Sequence, residues 1–386
     1  MQRDLFDTDH EQYRTTVREF LARAVAPHHT EWEEAGIVDR QVYVEAARQG
    51  LLGFSVPEEY GGLGVDDFRF NVVVTEETCR INATGVAFRL QNDILAPYLL
   101  HLTTAEQRRR WLPRFARGEL IAAVAMTEPD AGSDLQGIRS RAVRDGSDWV
   151  LSGSKTFISS GINADLVIVA CRTDPEVPAH QGMSLLVVER DMPGFTRGRR
   201  LRKAGMHAQD TAELHFDEVR IPQENVLGEA GTGFASLMSN LPMERLSIAV
   251  GAVATSRAAL EMTLTHVRDR RAFGRSIGSF QNSRFVLAEL DTEVDLAQQY
   301  VDRAVHLLRE GALTAVDAAK AKWWCTELQQ KVARACVQLH GGYGFMREYP
   351  ISQIHADATV QTIFGGSTEI MKEIIGRSLG LSDRKP

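Results

Sequence analysis

The chain has 386 residues, 44% hydrophobic and 25% charged, the composition of a soluble globular protein long enough for two or three buried cores. Its 44 Lys and Arg against 51 Asp and Glu give a formal net charge of −7, without the clustered basic excess that a nucleic-acid binder needs. Cys79, Cys171, Cys325 and Cys336 stand far apart with no CxxC pair, which argues against a disulfide framework or a zinc site and for core cysteines in a reducing compartment. No signal-peptide apolar region opens the sequence and no apolar run approaches the ~18 residues of a membrane span, so the expectation is a cytoplasmic protein with no membrane span and no bound metal.

Residues 1–120 read as a helical domain. Asp9 is the expected N-cap of a helix carrying Tyr13, Val17, Phe20, Leu21 and Val25 at helical spacing, with Pro27 ending it. A second helix is expected from about Asp39 to Gln49, stopping at Gly50, and a third from about Phe68 to Arg80. Thr103 or Thr104 caps a short helix through Trp111 and Leu112, with Pro113 as its limit.

Residues 121–231 change character. Trp149–Gly153, Asp165–Arg172, Met183–Val188 and Thr211–Phe216 read as strands, and Asp145-Gly146-Ser147 is a hairpin signal. Short strands at this spacing predict a small antiparallel barrel or sandwich. Residues 232–386 return to helix, with one apolar stripe at Phe234–Leu241 that continues through Ile248–Ala254, another at Val286–Leu308 and a third at Ala318–Leu339, which predict a four-helix bundle. The fold class is therefore α+β in the order helical, β, helical.

Several stretches carry chemistry. Ala125-Met126-Thr127-Glu128-Pro129 leads into Ala131-Gly132-Ser133-Asp134, small and hydroxyl residues suited to close approach of a planar polar ring, or to a simple capped turn. Phe157-Ile158-Ser159 places an aromatic and a hydroxyl on one side of a strand. Asp269-Arg270-Arg271-Ala272-Phe273-Gly274 could bind a pyrophosphate through bidentate geometry, or be a solvated helix end. Near the C-terminus, Gln338-Leu339-His340-Gly341-Gly342 and Phe364-Gly365-Gly366-Ser367 are two glycine turns joined by a helical pattern, read as a cofactor cradle.

Taken in order, with Glu33-Glu34-Ala35-Gly36 and Pro57-Glu58-Glu59-Tyr60-Gly61-Gly62, these stretches resemble the acyl-CoA dehydrogenase family of flavoproteins over almost the whole chain. The resemblance implies an acyl-CoA dehydrogenase-like fold with FAD between the last two domains and a neighbouring subunit, usually in a homotetramer, with a dimer as the alternative. It implies that Met126, Thr127, Ser133, Phe157 and Ser159 line the flavin. Arg270, Phe273, Gln281, Gln338, Leu339 and Gly342 would hold the pyrophosphate and adenine, and Ser367 and Glu369 would meet the nucleotide. The acyl thioester would lie against Ser133, Leu241, Arg245, Phe364 and Gly365. Phe157 and Ser159 replace the tryptophan and threonine of many relatives.

The family's reaction is α,β-dehydrogenation, in which a carboxylate takes the α-proton and the flavin takes the β-hydride. Many relatives carry that glutamate where this chain has Gly365. The isovaleryl and long-chain branches carry it on the helix opening the C-terminal domain, and Glu244 in Leu241-Pro242-Met243-Glu244-Arg245-Leu246 falls at that site. Its apolar neighbours predict a raised pKa. The competing reading is a first-turn acid favoured by the helix dipole. Gly365 is expected to leave room for the carboxylate.

The leading expectation is an FAD enzyme acting on acyl-CoA and passing electrons to an electron-transfer flavoprotein. The alternatives are an acyl-carrier-protein dehydrogenase, an oxygen-using oxidase, and a degenerate acyl-thioester-binding subunit. The run Arg197, Arg199, Arg200, Arg202, Lys203 is either a docking patch for CoA phosphates or for an acidic acyl carrier protein, or a solvated hairpin. Trp323 and Trp324 are expected in the bundle core or a subunit interface.

Overall fold

The computed structural model of the protein describes residues 3–381. Helix α1 (Thr8–Phe20) is capped by Asp7, two residues before the expected Asp9, and the Asp7 carboxylate accepts from the N–H groups of Asp9 and His10. The apolar spacing locates the stripe but not the first turn, which begins one residue after the cap. The helix runs into a π-helical turn, Leu21–Val25. Helix α2 (His29–Ala35), too short and polar to show a stripe, was not expected; Gly36 ends it in the left-handed region with φ of 69°. Helices α3 (Gln41–Arg48) and α4 (Phe68–Arg80) follow.

A second π-helical turn, Leu90–Leu95, leads into α5 (Ala96–His101). Helix α6 (Ala105–Ala116) opens with a Thr104–Gln107 capping box and continues through Pro113, which was expected to end it. A proline this late removes one helical hydrogen bond, and the burial of Trp111, Leu112, Phe115 and Ala116 holds the last turn in place.

The strands are β1 (Ala122–Ala125), β2 (Arg141–Asp145), β3 (Asp148–Ser159), β4 (Leu166–Arg172), β5 (Met183–Glu189), β6 (Phe195–Arg200), β7 (Thr211–Pro222) and β8 (Val226–Leu227), in one sheet. The turn at Gly146-Ser147 joins β2 and β3 with Asp145 opposite Asp148, as the hairpin signal predicts. The sheet is not purely antiparallel. β1 pairs parallel to β4, Ala122 against Leu166, because the β2–β3 hairpin lies between them in sequence.

Helix α7 (Gly233–Asp269) carries the first C-terminal stripe and its continuation on one helix, which passes through Pro242. After the short strands β9 (Arg271–Ala272) and β10 (Arg275–Ser276) come α8 (Gln281–Arg309), α9 (Ala315–His340), α10 (Pro350–Gln361) and α11 (Thr368–Ser378). Helices α7 to α10 share one core, including Leu246, Val253, Leu260, Leu290, Val301, Leu328, Val332 and Ile354, and α11 packs on α9. Trp324 is exposed and Trp323 partly so, with Lys372 over the Trp323 ring, so neither belongs to that core. All four cysteines are buried, and burial pushes the Cys171 and Cys325 thiols up to about 12. Among the described residues no helix is long and apolar enough to cross a membrane.

The π-helical turn Leu90–Leu95 ties the helical layers to the sheet. Gln91 pairs with both the N–H and the C=O of Ala122. Asn92 donates to Leu51 O, and Asp93 accepts from Asn71 of α4 and from the Ser247 hydroxyl of α7. A second tie lies under β3. The Lys155 ammonium, wholly buried, donates to Glu128 Oε1 at 2.8 Å and to Met126 O at 2.9 Å. Glu128 also accepts from the N–H groups of Arg139 and Ser140. One ion pair therefore fixes the turn after β1 against β3.

Removing one partner of such a pair strands a buried charge. Lys155→Met is expected to destabilise the protein by ~3–5 kcal/mol in denaturant unfolding. The double variant with Glu128→Gln should recover much of that loss, whereas a double-variant loss equal to the sum of the two single-variant losses would show that the charges are not coupled.

Candidate active site

Glu244 lies three turns into α7, so its helix-start dipole reading fails: the helix begins at Gly233. The side chain is turned inward and the residue is 4% exposed. Its Oε1 accepts from the Tyr98 hydroxyl of α5 at 3.1 Å. Burial pushes the carboxyl up to about 7, outweighing the opposing Tyr98 hydrogen bond and Arg245 charge.

The Phe364–Ser367 turn is held against the same helix. Arg245, buried beside Glu244, donates from Nε to Gly365 O at 3.3 Å. Lys322 of α9 donates to Gly366 O at 2.7 Å, and burial, then the Arg245 charge, push its ammonium down to about 8. Gly365 and Gly366 take φ values of 66° and 101°, a backbone shape costly for any side chain. The room expected at Gly365 is already filled: a Cβ there would lie 2.4 Å from Cδ1 of Ile248, one turn beyond Glu244. A side chain at position 365 would therefore have to turn the Ile248 methyl aside and adopt a positive φ. Arg245 meets the turn's backbone, while Leu241 and Phe364 are half-buried.

A second feature is a cavity of about 550 Å³ at the end of α9. Arg270, Gln338, Leu339 and Gly342 line it together, joined by His266, His340, Gly341, Tyr343 and Met346, among others. A Cβ added at Gly341 or Gly342 would meet nothing within 4 Å, so the bare backbone borders open space that a flat group can approach. The Arg270 guanidinium lies 5.6 Å from the Tyr343 ring centre, and His266 stacks on His340 at 4.2 Å. Phe273, 94% exposed on the β9–β10 turn, and Gln281, exposed at the start of α8, do not line this cavity. His266 and Tyr343 were missed in the sequence. His266 is one turn before Arg270, so helical spacing alone would have put it on the same face.

The third feature is the rim of β1 and β3. Met126 and Thr127 follow β1, and Thr127 O accepts from Thr156 N at 2.9 Å. Phe157 is 68% exposed with φ of 60°, at a register shift between Lys155 and Ile158. That bulge interrupts the strand alternation by which Phe157 and Ser159 were expected to share a side. Ser133 is exposed in the turn that follows, Ser367 caps α11 by accepting from Ile370 N, and Glu369 is exposed in its first turn.

The basic run is neither a free docking patch nor a fully solvated hairpin. Arg197 donates to Gly161 O and Ala164 O at 3.1 and 2.9 Å, Arg200 to Ala35 O, and Lys203 to Gln209 O. These cations hold loops in place, leaving Arg199 and Arg202 without a recorded side-chain bond among the described residues.

Three family models match the sequence in order: the acyl-CoA dehydrogenase N-terminal domain over residues 7–119, the middle domain over 123–219 and the C-terminal domain over 231–380. The mitochondrial long-chain specific acyl-CoA dehydrogenase of Mus musculus is 47% identical over 379 residues, 98% of this chain and 88% of that one. A solved acyl-CoA dehydrogenase from Geobacillus kaustophilus superposes with a TM-score of 0.96 at 44% identity, covering 98% of this chain and 100% of that one. A chain in the electron transferring flavoprotein structure from Acidaminococcus fermentans matches with a TM-score of 0.92 at 32% identity over 98% and 99% of the two chains. A glutaryl-CoA dehydrogenase from Mycobacterium smegmatis in complex with FADH2 matches with a TM-score of 0.90 at 28% identity over 98% and 97%. With these models matching in order along nearly its whole length, the chain belongs to the acyl-CoA dehydrogenase family.

Proposed function

We propose that the protein introduces a Cα–Cβ double bond into a long-chain acyl-CoA, with Glu244 removing the α-proton and electrons leaving through an electron-transfer flavoprotein. The observation that carries this reading is the Glu244 carboxyl, buried, held by Tyr98 and poised near neutrality. A base must be ionised yet still basic enough to take a proton, and a carboxyl of this kind meets both demands near pH 7. Support for the long-chain class comes from the 47% identical Mus musculus relative.

FAD is the cofactor, and when bound it supplies the acceptor for the β-hydride. The Arg270–Gly342 cavity, with bare glycine backbone and one guanidinium, suits a dinucleotide's pyrophosphate and flat base. Met126, Thr127, Ser133, Phe157 and Ser159 would border the flavin ring, and Phe273, Gln281, Ser367 and Glu369 would reach a nucleotide shared with a second subunit of a homotetramer. The Phe364–Ser367 turn, clamped by Arg245 and Lys322, would present the Gly365 N–H to the thioester carbonyl and stabilise charge building there. Leu241 and Phe364 would flank the acyl chain. We take the three domains as residues 1–120, 121–231 and 232–386.

Carrier-protein docking loses its main support, since Arg197, Arg200 and Lys203 are engaged with backbone carbonyls. Comparing turnover of palmitoyl-CoA, butyryl-CoA and isovaleryl-CoA with an electron-accepting dye should favour palmitoyl-CoA. A preference for isovaleryl-CoA would contradict the long-chain assignment.

Glu244→Gln is expected to lower kcat by about 10²–10⁴. Stability should move the other way. The folded carboxyl binds its proton more tightly than the unfolded one, so the Glu244 contribution to wild-type stability falls as pH rises from about 4.5 to about 7. Glutamine removes that slope, so the variant should melt higher than wild type at pH 8 and close to it at pH 5. Full turnover in the variant would remove Glu244 as the base.

A further inference from the structure

We propose that Tyr98 is a positioning residue for the base, holding one oxygen of the Glu244 carboxylate so that the other faces the substrate's α-proton. The inference rests on the reading of Glu244 as that base. Tyr98 is wholly buried on α5, in the N-terminal helical layers, while Glu244 is on α7. The hydrogen bond therefore crosses between two parts of the fold, and its geometry depends on how they pack.

That packing is fixed next to Tyr98 itself. The π-helical turn Leu90–Leu95 enters α5 and is pinned by Gln91 to Ala122, by Asn92 to Leu51, and by Asp93 to Asn71 and Ser247. Ser247 lies on α7 one turn from Glu244, so the contact that docks the turn leading into α5 on α7 is made close to the carboxylate. The Asn240 side chain, one turn before Glu244, also reaches the Tyr98 side chain and helps fix its hydroxyl.

A glutamate has three rotatable side-chain bonds and in a loose site would sample several rotamers. Tyr98 donates to Oε1 at 3.1 Å, and among the described residues Oε2 accepts no hydrogen bond. One oxygen is thus occupied by a neutral donor and the other keeps its lone pairs free, the condition for accepting a proton. A phenol suits the task because it supports the charged form without contributing a charge of its own in the working pH range, and burial pushes its pKa further up.

The charged groups around Glu244 are few. Arg245 neighbours it on α7 and is directed to Gly365 O, and Lys322 from α9 is directed to Gly366 O. Asp93 faces Asn71 and Ser247, and burial pushes its carboxyl up to about 6. The Tyr98 hydroxyl is the group among these that bonds the carboxylate directly.

Tyr98→Phe in the FAD-loaded enzyme tests this. A hydrogen bond to a charged acceptor is strong enough that its loss should raise the Glu244 pKa by about one to two units. The low-pH limb of kcat/KM, where the base is protonated and activity falls, should move up by that amount, with most of kcat recovered at pH 9. Infrared titration of the protonated carboxyl band that disappears in Glu244→Gln gives the same pKa without turnover. A limb and band that stay where they are in the wild type, or a loss of kcat equal at every pH, would overturn the proposal. Full activity in Glu244→Gln would instead remove the base reading beneath it, while the infrared shift would still report whether Tyr98 supports the carboxylate.

Discussion

The site depends on keeping one carboxyl nearly dry. Glu244 is closed in between α5 and α7, and the water it loses is only partly replaced by a phenol hydroxyl and a neighbouring guanidinium. The Asp93–Asn71–Ser247 contacts hold α4, the π-helical turn and α7 together, and the small residues Ala249, Gly251 and Ala252 on α7 allow close approach. Burial that makes the carboxyl basic also makes the protein less stable when that carboxyl is ionised.

The glycine turn at 365 is held against α7. Arg245 and Lys322 each bond one of two successive carbonyls, fixing a backbone with positive φ at both glycines. Ile248 fills the place where a side chain at 365 would begin. Ile248 and Glu244 share a face of α7, so the helix that carries the buried carboxyl also packs against the Gly365 turn. The two positions are therefore linked by packing.

Much of this was legible in the sequence, for identifiable reasons. Helix α4 carries a clean apolar pattern, and the Asp145–Ser147 turn has one dominant geometry, so both were readable locally. Glu244 stood out because the expected acid was absent at 365 and its own surroundings were apolar. What could not be read was long-range. Nothing near Tyr98 in sequence points to Glu244, and the partners of Lys155 and Lys322 are set by tertiary contacts. The parallel pairing of β1 with β4 depends on a crossover, and the engagement of Arg197 and Arg200 depends on loops that are distant along the chain. Pro113 misled because packing outweighs one lost helical hydrogen bond.

The central claim is that Glu244 exchanges a proton with the substrate's α-carbon. An acyl-CoA with α-hydrogens but none on the β-carbon can give up its α-proton without any hydride transfer. Incubated in D2O with the FAD-loaded wild-type enzyme, such a thioester should gain deuterium at the α-position, and with Glu244→Gln it should gain none above the uncatalysed background. Wild-type exchange rates in the Glu244→Gln protein would contradict the account.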